Sequence, residues 1–261
     1  MFGLIGFRLS HSFSKNYFTE KFQKLGLSPK DGYVYELFEL DKIEEFENLL
    51  KETTNLKGLN VTIPYKKSII PFLDKLDPVA QRIGAVNTVK IENDGTKIGY
   101  NTDYIGFKAS LENFLNLKSN IESNSIFQEK ALILGTGGAA QAVKIALEDL
   151  NIYFDFASSS INKIQDNSTH KIIPYSEIDS LDYKLIINTT PLGMYPNIDD
   201  FPPLSNENYS KINSTYFFYD LVYNPEETTF LKKGKSKGAK IINGLEMLHG
   251  QAEAAAKIWG I

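Results

Sequence analysis

The sequence contains no cysteine, which excludes disulfides, thiolate metal sites and cysteine nucleophiles at the outset. Its three histidines, His11, His170 and His249, are scattered, so no metal site is expected. A surplus of positive charge is also missing: 28 Lys and Arg against 32 Asp and Glu leave a net charge of -4. A chain so balanced has no basic stripe with which to neutralise phosphates, which argues against nucleic acid as a partner. No apolar run approaches the roughly eighteen residues of a membrane span. The opening MFGLIGFRLS lacks the basic start and long apolar core of an export signal. The expectation is a soluble, cytoplasmic protein with no membrane partner. Solenoid repeats and low-complexity tracts are absent too.

What is present is the material of a real core. The 261 residues are 42% hydrophobic and 23% charged, enough for one large or two modest domains. Apolar runs alternate with amphipathic segments almost throughout, the pattern of an α/β protein. Strands are expected over Phe2 to Phe7, Tyr33 to Phe38 and Leu56 to Ile63. Helices are expected over Ser14 to Leu25 and Asp41 to Lys51, the latter capped by Asp41, with helical segments at 67–73 and 78–83. Ala85 to Ile91 and Lys97 to Asn101 flank Asn93-Asp94-Gly95, a hairpin turn that introduces an antiparallel element. After a helix from Asp103 to Leu115, the polar stretch 116–129 reads as a linker. Ala131 to Leu134, a glycine loop and a helix from Ala139 to Leu150 open a second unit, with further strands at 152–157, 171–174, 184–189, 216–222 and 239–242. The final helix, Leu245 to Trp259, carries Leu245, Leu248, Ala252, Ala255 and Ala256 at helical spacing. Two α/β domains with a break near 104–129 are expected.

The strongest local signal is ALILGTGGAAQAV. Gly135 permits a tight turn, Gly137 lets the backbone approach a pyrophosphate, and Ala140 fills the third small position. The helix that follows aims its N-terminal amides at that phosphate. Asp155, 20 residues past Gly135, has the spacing of an acid that binds the ribose of NAD. The alternation Ile152, Phe154, Phe156 nevertheless puts Asp155 inside the strand and Ser158, Ser159 and Ser160 at its tip, with Lys163 following. Hydroxyls and a lysine suit the 2′-phosphate of NADP, or form a plain polar turn. Elsewhere NVTIPYK ends a strand in Asn60, Thr62 and Lys66, and LSHSFSK sets Ser12 and Ser14 ahead of a helix. One of those serines is read as an N-cap, while both hydroxyls could face an anion. GAVNT and YNTD place Asn87, Asn101 and Asp103 at the ends of the hairpin strands, and Asp103 before an apolar helix is by default a cap. Tyr104 and Lys108 mimic a Y-x-x-x-K dehydrogenase pair, but they precede the glycine loop instead of following it.

Taken in order, Ser12-Phe13-Ser14, NVTIPYK, GAVNT, NTD, GTGGAA, INTTPLGM, DLVYNP and GLEMLHGQA resemble the shikimate dehydrogenase family over nearly the whole chain. The resemblance implies a mixed-sheet substrate domain, residues 1–103 with 245–261, and a Rossmann-like NADP-binding domain, residues 104–244, with a cleft between them. It implies that Lys66 and Asp103 form the catalytic pair. Ser12, Ser14 and Tyr223 would hold a substrate carboxylate; Thr62, Asn87 and Gln251 would contact the substrate, with Asn60 and Asn101 lining the site. Gly135, Thr136, Gly137, Gly138 and Ala139 would cradle the pyrophosphate. Thr189, Val222, Gly244 and Met247 would border the nicotinamide. The family's adenosine loop has an arginine where this chain has Ser159, so Ser158, Ser159, Ser160 and Lys163 would carry the 2′-phosphate, and NAD stays open beside NADP. The implied reaction is reversible NADPH reduction of 3-dehydroshikimate to shikimate, a step toward chorismate and the aromatic amino acids, by a monomer or homodimer without a metal. The alternatives are a quinate/shikimate dehydrogenase using NAD and a catalytically silent NADP-binding regulator.

Overall fold

A computed structural model describes residues 1–9, 12–117, 127–159 and 170–261. In chain order its elements are β1 (Phe2–Gly6), α1 (Phe13–Lys24), β2 (Tyr35–Glu39), α2 (Phe46–Glu52), β3 (Gly58–Val61), β4 (Lys75–Leu76), α3 (Pro78–Ile83), β5 (Thr88–Ile91), β6 (Lys97–Tyr100) and α4 (Thr102–Phe114). There follow β7 (Ala131–Leu134), α5 (Gly138–Asp149), β8 (Phe154–Ser158), β9 (Ile172–Pro174), β10 (Leu185–Asn188), α6 (Asn206–Lys211), β11 (Phe217–Asp220), α7 (Thr229–Lys235), β12 (Lys240–Ile242) and α8 (Leu245–Trp259). The chain divides into two compact units, Met1–Ile105 with Gln251–Ile261, and Gly106–Gly250.

The first unit is built on a six-stranded sheet of order β2-β1-β3-β5-β6-β4. β1 runs parallel to β2 and β3, whereas β5 is antiparallel to β3 and β6, so the hairpin makes the sheet mixed. α1 buries Phe18 and Phe22, and Phe18 stacks on Tyr35 with ring centroids 4.8 Å apart. Trp259, near the chain's end, joins that cluster and donates from Nε1 to the Val89 carbonyl at 3.0 Å. Gly58 makes room for it: a Cβ there would lie 2.2 Å from Trp259 Nε1. One indole thereby ties the last turn of α8 to β3 and β5.

Two local elements differ from the sequence pattern. Asp41 does not cap a helix; Ile43–Glu45 is a 3-10 turn, α2 begins at Phe46 without a side-chain cap, and the Asp41 N–H instead donates to the Glu45 carboxylate. The helix expected over 67–73 is only a 3-10 turn at Ile70–Phe72. Pro71 has no N–H to donate and disfavours helical backbone at Ile70. The chain then extends into β4, a two-residue edge strand too short for a sequence pattern.

The second unit has a six-stranded, wholly parallel sheet of order β12-β11-β10-β7-β8-β9. Counted from β7, this is the order 6-5-4-1-2-3 of a doubly wound fold, with its switch point between β7 and β10. β7 (ALIL) and β10 (LIIN) are buried at every position, as strands covered on both faces must be. The short helices α6 and α7 were not anticipated. Their sequence signals are the caps, Ser205 Oγ accepting from Asn208 N–H and Thr228 Oγ1 from Leu231 N–H. Ser158 is the last residue of β8, paired with Pro174, where the sequence pattern had ended the strand at Ala157. Among the described residues no helix is long and apolar enough to cross a membrane.

Candidate active site

In the first unit, the end of β3 decides where Lys66 stands. Thr62 N–H donates to the Ile5 carbonyl (2.9 Å), and Thr62 O accepts from Tyr65 N–H (2.8 Å), closing a turn just past the strand. Val86 N–H then donates to the Lys66 carbonyl at 2.7 Å, pinning the lysine backbone to the chain ahead of β5. From there Lys66 Nζ reaches Asp103 Oδ2 at 2.7 Å, with the two side chains 31% and 17% exposed. These residues are 37 positions apart and meet because the β5–β6 hairpin brings the start of α4 back beside β3.

Asp103 is not the helix cap that its position before an apolar helix implied. Asn101 takes that role: its Oδ1 accepts from Tyr104 N–H at 3.1 Å, while its Nδ2 donates to the Ala85 carbonyl at 3.0 Å. Asp103 lies one residue inside α4, and its carboxylate is left for the lysine.

Beside this pair runs a buried polar network. Asn87 Oδ1 accepts from Thr102 N–H (2.6 Å) and lies 3.1 Å from the Thr102 hydroxyl and 3.3 Å from that of Thr88. The acceptor end of this amide faces inward, so its donor end, Nδ2, is the one available for a ligand. Asn60 donates to Thr88 Oγ1 (3.2 Å) and accepts from the Tyr35 hydroxyl (2.7 Å), so both ends of its amide are engaged within the protein. Gln251 Oε1 lies 3.4 Å from the Thr102 hydroxyl. Asn60, Asn87, Asn101 and Gln251 are all buried, as are Thr88 and Thr102. Sequence reasoning passed over Tyr35, Thr88 and Thr102. The signal for the two threonines was adjacency, since each directly follows a singled-out asparagine.

The serines of LSHSFSK separate into two roles. Ser12 Oγ accepts from Lys15 N–H at 3.3 Å and is the N-cap of α1. Ser14 lies in the first helical turn, near the Tyr35 phenol, whose ionisation burial pushes far upward. Thr62 is half-buried, its methyl group so close to β1 that a Cβ at Gly6 would lie 2.4 Å from it. His11 lies outside the described residues.

In the second unit, Gly135 follows β7 with φ +101°, a conformation that favours glycine. A Cβ there would lie 2.9 Å from Thr190 Cγ2 and 3.0 Å from Thr189 Oγ1, so this turn runs hard against the loop after β10. Thr189 Oγ1 donates to the Leu134 carbonyl at 2.8 Å, joining the two strand ends. Gly137 caps α5 with no side-chain bond, and a Cβ at Gly137 or Gly138 would meet nothing within 4 Å. The result is an open cradle of unencumbered helix amides, flanked by Thr136 and Ala139, which fits the pyrophosphate of a dinucleotide. Val222 is buried, and its carbonyl accepts from Gly244 N–H at 3.1 Å. Gly244 admits no side chain, because a Cβ would sit 2.1 Å from the Leu221 carbonyl oxygen. Met247 is buried in the first turn of α8, and Tyr223 is exposed.

Asp155 is not the ribose-binding acid its spacing from Gly135 raised. It pairs in register with Leu132, toward the N-terminal end of β8, whereas ligands bind at the carboxyl ends of such strands. Its carboxylate accepts from Lys130 Nζ (2.5 Å) and the Tyr183 hydroxyl (2.8 Å). Burial alone would raise this carboxyl; the bonds from Lys130 and Tyr183, with the lysine's charge, overcome that and hold it below the ordinary range. At the other end of β8, Ser158 is buried and Ser159 exposed, while Ser160 and Lys163 lie outside the described residues. His170 stacks on Phe154, ring centroids 3.8 Å apart. Among the described residues no three His, Cys, Asp or Glu side chains converge as a metal site.

A mixed sheet with a Lys66–Asp103 pair in one unit, and a doubly wound sheet with an open glycine turn in the other, define a dinucleotide-dependent dehydrogenase of two α/β units. The chain belongs to the shikimate dehydrogenase family. The family model described as the shikimate dehydrogenase substrate binding domain matches residues 4–89. The chain is 41% identical over 266 residues to the shikimate dehydrogenase (NADP+) of Clostridium beijerinckii, covering 99% of this chain and 91% of that protein. It is similar to the crystal structure of a chorismate mutase/shikimate 5-dehydrogenase fusion protein from Clostridium acetobutylicum (36% identity, TM-score 0.84, 99% of this chain and 90% of that one). It is also similar to shikimate 5-dehydrogenase from Thermus thermophilus in complex with NADP(H) and shikimate (30% identity, TM-score 0.79, 100% and 93% covered).

Proposed function

We propose that the protein catalyses the reversible, NADPH-dependent reduction of 3-dehydroshikimate to shikimate, with residues 1–103 and 245–261 as the substrate domain and 104–244 as the NADP domain. The observation that supports this reading is the 2.7 Å contact between Lys66 Nζ and Asp103 Oδ2, an ammonium able to donate a proton beside a carboxylate able to orient it. NADPH, when bound, supplies the hydride. Reduction of a ketone builds negative charge on its oxygen, and Lys66 Nζ delivers the proton that neutralises it. Asp103 holds the ammonium in place and accepts from a neighbouring ring hydroxyl. Asn87 presents Nδ2 to a second ring oxygen, because Thr102 and Thr88 occupy its Oδ1 side. Thr62 and Gln251 complete the contacts, and Asn60 and Asn101 support them from behind. Ser14 binds the substrate carboxylate at the start of α1, with Ser12 shaping that helix end as its cap.

Gly135 to Ala139 would hold the pyrophosphate, and Thr189, Val222, Gly244 and Met247 would border the nicotinamide. NADP is preferred over NAD, which is supported by the engagement of Asp155 elsewhere. The protein works in the cytoplasm, as a monomer or homodimer, on a small-molecule substrate. Purified protein assayed with shikimate and with quinate, each with NADP+ and with NAD+, tests the reading. The highest kcat/KM is expected for shikimate with NADP+. No turnover with any pair, or turnover with quinate and NAD+ alone, would refute it.

A further inference from the structure

Asp220, the last residue of β11, is fully buried, and the proton-transfer steps above make no use of it. Its carboxylate accepts from three directions. Oδ1 accepts from Asn188 Nδ2 at 2.9 Å and from Val222 N–H at 3.0 Å, while Oδ2 accepts from the Thr228 hydroxyl at 2.6 Å. Each partner belongs to a different segment: the end of β10, the chain leaving β11, and the cap of α7. Burial raises this carboxyl to about 6 against the opposing effect of those bonds, so near neutral pH it is ionised and purely an acceptor.

The segment leaving β10 is fastened at both ends by these contacts. At its start, Asn188 Nδ2 is directed to Asp220, which leaves Asn188 Oδ1 to accept from Thr190 N–H (3.0 Å) and the Thr190 hydroxyl (2.7 Å). At its far end, Gly193 packs on Thr228, where a Cβ would lie 3.4 Å from that of the threonine. Thr190 in turn sits where a side chain on Gly135 would collide with it. A chain of contacts therefore runs from Asp220 through Asn188 and Thr190 to the turn that would receive the pyrophosphate.

The geometry points to Asp220 as a positioning residue for the dinucleotide: it orients the Asn188 amide, and through it the 188–193 loop and Val222, into the arrangement that binds NADP. The inference rests on the second unit being the NADP domain. A carboxylate suits the task because all three partners are donors, and an acceptor-only group forces the Asn188 amide to present its oxygen to Thr190. An amide at 220 can donate as well as accept, so both orientations of Asn188 become available. When only a fraction of molecules holds the competent loop, the apparent Kd rises by the inverse of that fraction.

The test is calorimetric titration of NADP+ into wild type, Asp220→Asn, Thr190→Val and Thr190→Ser, alongside melting of each protein without cofactor. Asp220→Asn is expected to weaken NADP+ about tenfold. Thr190→Val, which removes the hydroxyl that reaches Asn188, should weaken it several-fold, and Thr190→Ser, which keeps that hydroxyl, should restore it. A purely structural role would lower the melting temperature of Asp220→Asn while its folded molecules bound NADP+ as wild type does, and that result overturns the inference. If Asp220→Asn does not fold, the Thr190 pair decides: equal wild-type affinity in both overturns it. Wild-type protein that binds no NADP+ at all would overturn the cofactor reading together with this one.

Discussion

Removing either partner of the Lys66–Asp103 contact tests the chemistry most directly. A positioned acid–base group contributes roughly two to four decades of rate, or about 2.7–5.4 kcal/mol. Lys66→Ala and Asp103→Ala should each lower kcat by that amount. Were the residues independent, the double variant would lose about twice as much in free energy. They are hydrogen-bonded at 2.7 Å, so removing one leaves the other without its function, and the double variant should lose little more than either single one. The side chains are 31% and 17% exposed, a pair neither free in solvent nor deeply buried, so each single change should alter folding stability by only about 1–2 kcal/mol. Lys67→Ala supplies the control, since Lys67 is exposed one position along and should be nearly silent. The assay is steady-state NADPH production from shikimate and NADP+, with binding of both ligands titrated separately. Near wild-type kcat in Lys66→Ala, or strictly additive losses in the double variant, would refute the reasoning.

Other outcomes follow from the same contacts. Ser14→Ala should raise the KM for shikimate roughly tenfold, whereas Ser12→Ala should also destabilise α1 by about 1 kcal/mol, read by denaturant unfolding. Asp155→Asn should leave the NADP+/NAD+ ratio of kcat/KM unchanged while lowering stability, because its partners are Lys130 and Tyr183; a collapse of cofactor preference would show that the acid faces the ribose after all. Asp220 has a folded-state pKa of about 6, above the unfolded value near 3.8, so its stabilising contribution is complete below about pH 4 and lost as the pH rises through 6. From pH 7 to pH 5, wild type should therefore gain about 1–2 kcal/mol relative to Asp220→Asn in urea unfolding, and parallel curves for the two proteins would count against the buried charge.

Short-range patterns were legible without coordinates because local chemistry controls them. The alternation of apolar runs marked the strands, Asn93-Asp94-Gly95 marked the hairpin that mixes the first sheet, and Gly135 and Gly137 marked the cradle after β7. Lys66 and Asp103 were both nameable as residues. The resemblance paired them, but residue spacing alone did not, since 37 positions of chain must be folded through the hairpin before they meet at 2.7 Å. Tertiary structure also decided several choices that turned on a single residue of register. Asn101 caps α4 where Asp103 was expected to, and of the two serines it is Ser12 that caps α1. Asp155 has the right spacing for ribose but sits at the wrong end of β8, a distinction that strand pairing makes and residue counting does not. Hydrophobic pattern and turn chemistry act over a few residues, so the sequence by itself determined the elements and the residue types at the site. The partner of each buried polar group depends on which strand ends are neighbours, and only the folded sheets decide that.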